Sequence, residues 1–582
     1  MASPPVPVYG FGAYLLDPGK RLLMERDGKP VSLTPKAYDT LAYLVEHAGA
    51  VVAKDELLRA IWQDTAVEEN NLTQNISLLR RALGEGRGDH RYIATVPGRG
   101  YQFIAAVRVA EAMPVGVESD ETVSIAVLPF VNVSAEPDYD YFGDGLAEEV
   151  INALSKLPGM RVVARTSAFS FKGKQVDIRE IADRLRVSLV LEGSVRNSGN
   201  RLRITAQLVN AADGYQLWSE RYDREIDLHD IFGVQDEITL AVMDALKMKL
   251  PLAQRSAVLK HPTENIRAHE LCLKGRFHVF RMTRTGIDAG VSYLEKALGA
   301  DPSYALAQVG LAHAYRMFGL SLETPPCEAG PKSKAAALKA IELDESLGEA
   351  HAVLAFSLFW YEWAWSASEQ HFERALELDP NNAYTHWMYA HFCSNLGRHA
   401  KALAGIARAR ELDPLSGLIH AMEGEFLLHA GRTDDAIDRL QEALELDSKS
   451  RVAHLFTANA YIEKGCFGDA VGEASAALAL SPSSISALAV QSYANAKLGR
   501  TTQARAALEQ CLQLLNHRYI PPYYVGLICN GLDQPGEALT WLERAFDERD
   551  PWMVFLKVEP KWNNLRNNQR FVHLLNRLKL LP

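Results

Sequence analysis

The sequence predicts a multidomain protein with a small amino-terminal α+β unit, a central α/β unit and a long carboxy-terminal all-α superhelix. Three observations carry this expectation. At 582 residues the chain exceeds what one hydrophobic core organises. Its hydrophobic pattern changes along the chain, from short strands and helices, through strands alternating with helices, to continuous helical spacing. From about residue 262 an Asp or its equivalent closes successive units at Asp301, Asp344, Asp379, Asp413, Asp447 and Ser481, and the last four intervals are 35, 34, 34 and 34 residues.

In the amino-terminal unit, Phe11 to Leu16 and Arg21 to Arg26 are strand-like runs separated by Asp17-Pro18-Gly19, and Asp27-Gly28 makes the next turn. A helix starts at Thr34, an N-cap residue followed by Pro35, and stops near Gly49. A second runs from about Lys54 to Trp62. In the third, Leu72, Ile76, Leu79 and Leu83 recur at helical spacing and mark the buried stripe. Asn70, Thr73, Gln74, Ser77 and Arg81 therefore point outward, with Asn71 beside them. Amides and hydroxyls of this kind meet base edges in a major groove, and arginines neutralise phosphate. An ordinary amphipathic surface helix has the same pattern. The segment that follows favours the first reading: the runs Tyr92 to Val96 and Tyr101 to Ala105 are joined by Pro97, Gly98, Arg99 and Gly100, a hairpin turn that presents a guanidinium at its tip, suited to a minor groove.

This order of elements, with the signatures Leu-Leu-Arg-Arg-Ala-Leu at 78–83 and Thr-Val-Pro-Gly-Arg-Gly-Tyr at 95–101, resembles the OmpR/PhoB-type winged helix-turn-helix domain over residues 8 to 106, in its CadC-like form with the DNA-binding domain first. The resemblance implies that Thr73, Ser77, Leu78 and Arg80 occupy groove-facing and phosphate-facing places. It also implies that the loop from Trp62 to Glu69 stands where several relatives touch RNA polymerase. The chain departs from the family at Ser77 and Leu78, where arginines are frequent, and at Pro97, where some members carry an arginine that Arg99 replaces here.

The middle region, 122–250, alternates strand (Val123 to Phe130), helix (Leu146 to Leu157), strand (Arg161 to Ala164), helix (Ile178 to Leu185) and strand (Ser188 to Val195). A polar-facing hairpin, Arg201 to Asn210 and Gln216 to Tyr222, follows, and a helix, Ile231 to Met248, closes the unit. The signatures Ala-Val-Leu-Pro-Phe, Gly-Asp-Gly-Leu-Ala-Glu-Glu and Leu-Glu-Gly-Ser-Val-Arg resemble the TolB N-terminal-like domain, which implies a non-catalytic role. Asp138, Asp140, Asp144 and Glu149 fall near the spacing of a calcium loop, but Phe142 stands where an oxygen ligand is required. The simpler reading is that Asp144 caps a helix from Gly145, with Glu148 and Glu149 at its positive end.

In the third region, 262–582, small residues recur in register where two helices must approach: Ala390, Ala402, Ala409; Gly424, Ala436, Ala443; Ala458, Ala470, Ala477; Ser492, Ala504, Cys511; and Gly526, Ala538, Ala545. The region resembles tetratricopeptide repeats on these positions, with about eight units, the first degenerate, and an insertion near Thr324 to Pro331. The resemblance implies a concave face suited to a protein or peptide partner. Trp360, Tyr361, Trp363, Trp365, Trp387 and Tyr389 either line that groove or fill the core between helices.

Composition limits what the chain does. Hydrophobic residues make up 48% and charged residues 23%, as in a soluble globular protein, and the net charge of −10 excludes a chain that coats nucleic acid along its length. Residues 1–107 hold 12 Lys and Arg against 12 Asp and Glu, so DNA binding there rests on a local patch. The six cysteines form no Cys-x-x-Cys and fit reduced core thiols. No basic-then-apolar leader precedes Tyr9, no apolar run approaches a membrane span, and 108–121 is a short acidic linker, so a cytoplasmic protein without membrane contact is expected. Gly-Lys at 19–20, 28–29 and 173–174 never falls in a phosphate-cradling spacing, His269-Glu270 lacks a second histidine, and no Gly-x-Ser-x-Gly elbow occurs. The expectation is a transcriptional regulator without cofactor, metal or catalytic site, which binds double-stranded promoter DNA as a possible dimer. The alternative is a protein-interaction scaffold that does not read DNA.

Overall fold

The computed structural model describes residues 8–18, 22–25, 31, 33, 35–61, 69–85, 91–110, 123–134, 140–157, 159–198, 201–225, 230–245, 263–280, 283–320 and 324–581. They fall into two units, Met1–Glu121 and Thr122–Pro582.

The amino-terminal unit is built from β1 (Val8–Phe11), β2 (Tyr14–Asp17), β3 (Leu22–Glu25), α1 (Pro35–Glu46), β4 (Val51–Ala53), α2 (Lys54–Ile61), α3 (Glu69–Ala82), β5 (Ile93–Val96), β6 (Gly100–Phe103) and β7 (Val107–Ala110). The run Phe11 to Leu16, expected as one strand, folds back on itself. Gly12 turns the chain at φ +51, and a Cβ there would lie 2.5 Å from Tyr92 Oη, so the site admits neither an L side chain nor its bulk. β1 pairs with β2 on one side and with β7 on the other, which carries the unit to Ala110, past the expected boundary at 107. β4, not foreseen, pairs with β6 beside β5. Leu41, Leu44, Leu57, Leu72, Ile76, Leu79 and Leu83 form the core with Phe11, Tyr14, Tyr92 and Phe103. Thr34, the expected helix cap, lies outside the described residues.

In the second unit, β8 (Val123–Val127), β10 (Met160–Val162) and β11 (Leu189–Ser198) are parallel, and β12 (Arg201–Asn210) and β13 (Gln216–Glu225) extend the sheet antiparallel in the order β10-β8-β11-β12-β13. The two-residue β9 (Val131–Asn132) pairs with β11 off this path. Helices α4 (Asp140–Ser155) and α7 (Asp230–Ala245) cover one face, while α5 (Arg165–Phe169), which the sequence did not announce, and α6 (Ile178–Leu185) cover the other. α4 begins before Asp144, which therefore does not cap it. The Asp144 carboxylate instead receives both bonds of the Lys172 ammonium, at 2.7 and 2.8 Å. A carboxylate so held inside a helix is no calcium-loop ligand, and Asp138 lies outside the described residues.

Eight helix pairs follow between Ile266 and Asp547. The period is visible in the backbone: residues 363, 397, 431, 465, 499 and 533 all adopt positive φ, 34 apart, and four of the six are glycine. Asn382, Ser416, Ser450 and Ser484, at the same spacing, each cap a helix through the side chain. The small residues expected at the helix contacts are buried, and a Cβ on Gly424 would meet Leu440 Cγ at 2.5 Å. The insertion expected near 324–331 is the start of an 18-residue helix, Pro326–Leu343, with Pro331 inside it.

The α/β domain and the repeats are one unit because specific bonds join them. Ala164 N donates to Leu412 O at 2.8 Å, Ser167 N donates to the Asp413 carboxylate at 3.0 Å, and Leu415 N donates to Ser167 Oγ at 2.8 Å. Arg276, buried on the first repeat helix, pairs with Glu148 of α4 at 3.3 Å and with Glu349 at 3.1 Å. Burial pushes the Asp413 carboxyl up to about 6 and that of Glu149, beside Glu148, up to about 7.

The concave face is filled. After Asp547 the chain makes two 3₁₀ turns, Pro551–Phe555 and Pro560–Leu565, and a last helix, Gln569–Arg577. Trp552 and Phe555 pack on Trp360 with ring centroids 5.5 and 5.8 Å apart, and Phe555 also meets His391 and His429 at 5.5 and 5.9 Å. Lys561 Nζ donates to Asn459 Oδ1 at 3.1 Å, Asn530 Nδ2 donates to Lys561 O at 2.7 Å, and Trp562 Nε1 donates to Tyr523 Oη at 2.9 Å. His391, His429, Asn459, Tyr523 and Asn530 all lie on the first helices of their repeats, the helices that line the inner face. Trp365 Nε1 closes the turn on Leu578 O at 2.7 Å. Of the aromatics expected at the groove, Trp360, Tyr361, Trp363, Trp387 and Tyr389 are buried and Trp365 is half-buried.

Candidate nucleic-acid interface

Helix α3 divides as its periodicity predicts. Leu72, Ile76, Leu79 and Leu83 are buried, whereas Thr73, Ser77, Leu78 and Arg81 are exposed along one side. Leu78 is 43% exposed, an apolar side chain left on the surface where a thymine methyl would meet it favourably. Ser77 Oγ donates to Thr73 O at 3.0 Å, so its donor is used within the helix and its lone pairs remain to accept from a base amine. The side chains of Asn70, Asn71 and Gln74 lie outside the described residues, as do residues 62–68 of the loop expected to face RNA polymerase.

Arg80 is placed differently from the expectation. Its guanidinium turns to the wing, where Nη2 donates to Ile93 O at 2.9 Å and to Thr95 Oγ1 at 2.8 Å, and Nε donates to Ile93 O at 3.3 Å. Arg80 thus fixes the wing to the reading helix. Glu85, which sequence reasoning missed, completes the clamp. It is buried, accepts from Ile93 N at 3.2 Å and from Tyr92 N, and faces Arg80 Nε across 3.7 Å. A turn at Gly84, φ +68, with Glu85 N donating to Arg80 O at 2.8 Å, ends α3 and brings the carboxylate back to the first residues of β5. The available signal was a glutamate directly after a glycine helix stop, five residues from an arginine.

The wing turn also has geometric reasons. Gly98 adopts φ +71, and a Cβ on Gly100 would lie 2.0 Å from Val52 O, so β6 approaches β4 only through a glycine. Arg99 N donates to Val96 O at 3.0 Å, closing the turn, and the Arg99 side chain is exposed at the tip. Among the expected residues, Arg81 and Arg99 are the exposed cations, and Thr73, Ser77 and Leu78 are exposed on α3.

The family model that matches residues 28–103 is described as "Transcriptional regulatory protein, C terminal". The amino-terminal unit is an OmpR/PhoB-type winged helix. Residues 121–240 match the second domain of HilA/YgeH-like transcriptional regulators. Residues 371–404 and 394–451 match tetratricopeptide repeats. The chain is 28% identical over 358 residues to the transcriptional regulator HilA of Salmonella typhimurium, covering 60% of this chain and 61% of that one. It is 36% identical over 102 residues to the transcriptional activator CadC of Escherichia coli, covering 17% and 20%. It is also 37% identical over 238 residues to a Rhizobium meliloti protein bearing the name adenylate cyclase 3, covering 41% and 40%. The chain thus spans less than two thirds of each of these relatives. Among the described residues no helix is long and apolar enough to cross a membrane.

Proposed function

We propose that this protein is a cytoplasmic transcriptional regulator without catalytic activity, which reads double-stranded promoter DNA through α3 and the wing. The observation that carries the reading is the exposed row Thr73, Ser77, Leu78 and Arg81 on a helix clamped to a wing with Arg99 at its tip. Gln74 and Ser77 read bases, with Asn70 and Asn71 at the start of the same helix, and Arg81 and Arg99 hold the backbone. The loop of residues 62–69 is the place for RNA polymerase. The repeats serve protein recognition, and a peptide takes their inner face only by displacing residues 551–565.

The test is a titration of the full-length protein with promoter fragments at increasing salt. A plot of log affinity against log salt falls steeply if Arg81 and Arg99 neutralise phosphate, and Arg81→Ala lowers the slope by about one. Absence of binding at low salt, or a flat plot, favours the scaffold reading instead.

A further inference from the structure

Two arginines are buried on first helices of the repeats, and they are compensated differently. Arg276 is paired with Glu148 at 3.3 Å and with Glu349 at 3.1 Å. Arg316, on the helix Ala305–Leu320 and only 3% exposed, has no carboxylate within ion-pair distance among the described residues. Its Nη2 donates to Tyr384 Oη and, at 3.5 Å, to Met317 Sδ, while its Nε is buried without a hydrogen-bond partner. A phenol and a thioether bring no countercharge, and a thioether sulfur is a weak acceptor. A guanidinium keeps its proton when buried, so its charge is either answered by an anion or destabilises the fold.

The surroundings define what is missing. The Phe356 and Tyr384 rings lie 5.0 and 5.5 Å from the guanidinium carbon. Ring faces attract a cation but accept none of its in-plane N–H bonds, and Nε–H is one of these. Trp387 packs on the same two rings, 4.9 Å from Tyr384 and 6.5 Å from Phe356, and its Nε1, which can only donate, is also buried without a partner. Glu349 does not serve, because its carboxylate is engaged by Arg276 and by His313 Nε2 at 3.0 Å. Two unanswered donors, one of them charged, beside three aromatic rings ask for acceptor oxygens with a negative charge on an apolar or planar body. Tyr384 and Met317, which touch the guanidinium, are both half-buried, and the unbranched Met317 chain is adaptable enough to yield its place. Phe356 also stacks on Trp360 at 5.3 Å, so the place adjoins the part of the inner face that Trp552 and Phe555 fill.

We propose that this place is a binding site for a small organic oxyanion, a carboxylate or a phosphate monoester, whose oxygens accept from Arg316 Nε and Trp387 Nε1 and displace the Met317 thioether. Its body lies against the Phe356, Tyr384 and Trp387 rings. Arg316 belongs to the second helix pair, Phe356 to the third, and Tyr384 and Trp387 to the fourth, so one bound molecule ties three repeats together. The site does not depend on DNA, so this proposal and the regulator reading fail separately.

The experiment is isothermal titration calorimetry of the full-length protein with benzoate, phenyl phosphate and the neutral benzamide at constant ionic strength. At least one of the two anions binds, one molecule per chain, with a dissociation constant below about 1 mM, and benzamide binds at least about tenfold more weakly. The tighter of the two anions tells a carboxylate ligand from a phosphate. Arg316→Met keeps the length of the side chain without its charge and weakens that anion at least about tenfold. Trp387→Phe keeps the ring without its N–H and weakens it about threefold. Far-ultraviolet circular dichroism confirms that each variant is folded. Absence of binding by both anions at that level, or benzamide bound as tightly as the anions, overturns the proposal whether or not the variants fold. A folded Arg316→Met protein that binds the anion as the wild type does overturns it equally.

Discussion

The winged helix and the repeat array use the same kind of amphipathic helix to opposite ends. In α3 the polar side is left to solvent, with Thr73, Ser77, Leu78 and Arg81 exposed. In the array the corresponding inner sides are covered by the chain itself, and His391 and Asn395 are buried with no hydrogen-bond partner on any side-chain nitrogen or oxygen. The difference teaches that a regular repeat specifies its scaffold without specifying what occupies it. The winged helix leaves Thr73, Ser77, Leu78 and Arg81 open to solvent, whereas the array has an inner face already taken by residues 551–565.

If that occupation is part of the fold rather than a removable cover, truncating its anchor is costly. Trp562 is fully buried and bonded to Tyr523, so Trp562→Ala is expected to destabilise the second unit by about 3–5 kcal/mol, read from its transition in urea. A loss below about 1 kcal/mol means that the segment is a displaceable cover and makes the comparison wrong.

The second expectation concerns acid. Burial, and secondarily His429, hold His391 down to about 3, so the folded protein keeps it neutral while the unfolded chain protonates near 6.5. A group depressed in this way contributes fully above about 6.5, and its contribution falls as pH drops towards 3. Between pH 7 and pH 5 the wild type should therefore lose about 2 kcal/mol relative to His391→Phe. Parallel stability curves for the two proteins at those pH values refute the assignment.

Two smaller effects sharpen the description of the winged helix. Arg80→Ala removes the tie to Ile93 and Thr95 and leaves Glu85 buried beside the gap, so it should destabilise the first unit by about 1–3 kcal/mol, seen as an earlier thermal transition. Arg81→Ala should leave that transition unchanged and weaken all DNA sequences alike. Equal transitions for the two variants would return Arg80 to a phosphate role. Ser77→Ala should narrow the gap between preferred and mutated operators by about 1 kcal/mol in a competition assay. Retention of the full preference removes Ser77 from base reading.

What was legible in the sequence followed local periodicity. The buried stripe of α3 and the small residues from Ala390 to Ala545 recur at fixed intervals, and the structure buries them. What was not legible depends on distance. Arg80 lies next to the outward stripe, and only the return of the chain at Ile93 captures it. Gly12 breaks an apolar run that reads as one strand, because Tyr92, 80 positions later, occupies the space a side chain would need. Asp413 looks like every other aspartate that ends a repeat, yet it is the one bonded to Ser167. The segment 551–565 has no helical period, so its seat inside the superhelix left no pattern to follow.

The bond from Trp365 to Leu578 has a consequence for how such a chain changes over generations. An open solenoid gains or loses a module at its end with little penalty, since each module touches only its neighbours. Here the third repeat is tied to the carboxy-terminal residues, and Arg276 and Asp413 grip the α/β domain at two points of the same array. Adding or deleting one 34-residue module between them would misplace at least one grip by a full helix pair. These ties therefore oppose a change in the number of repeats between them.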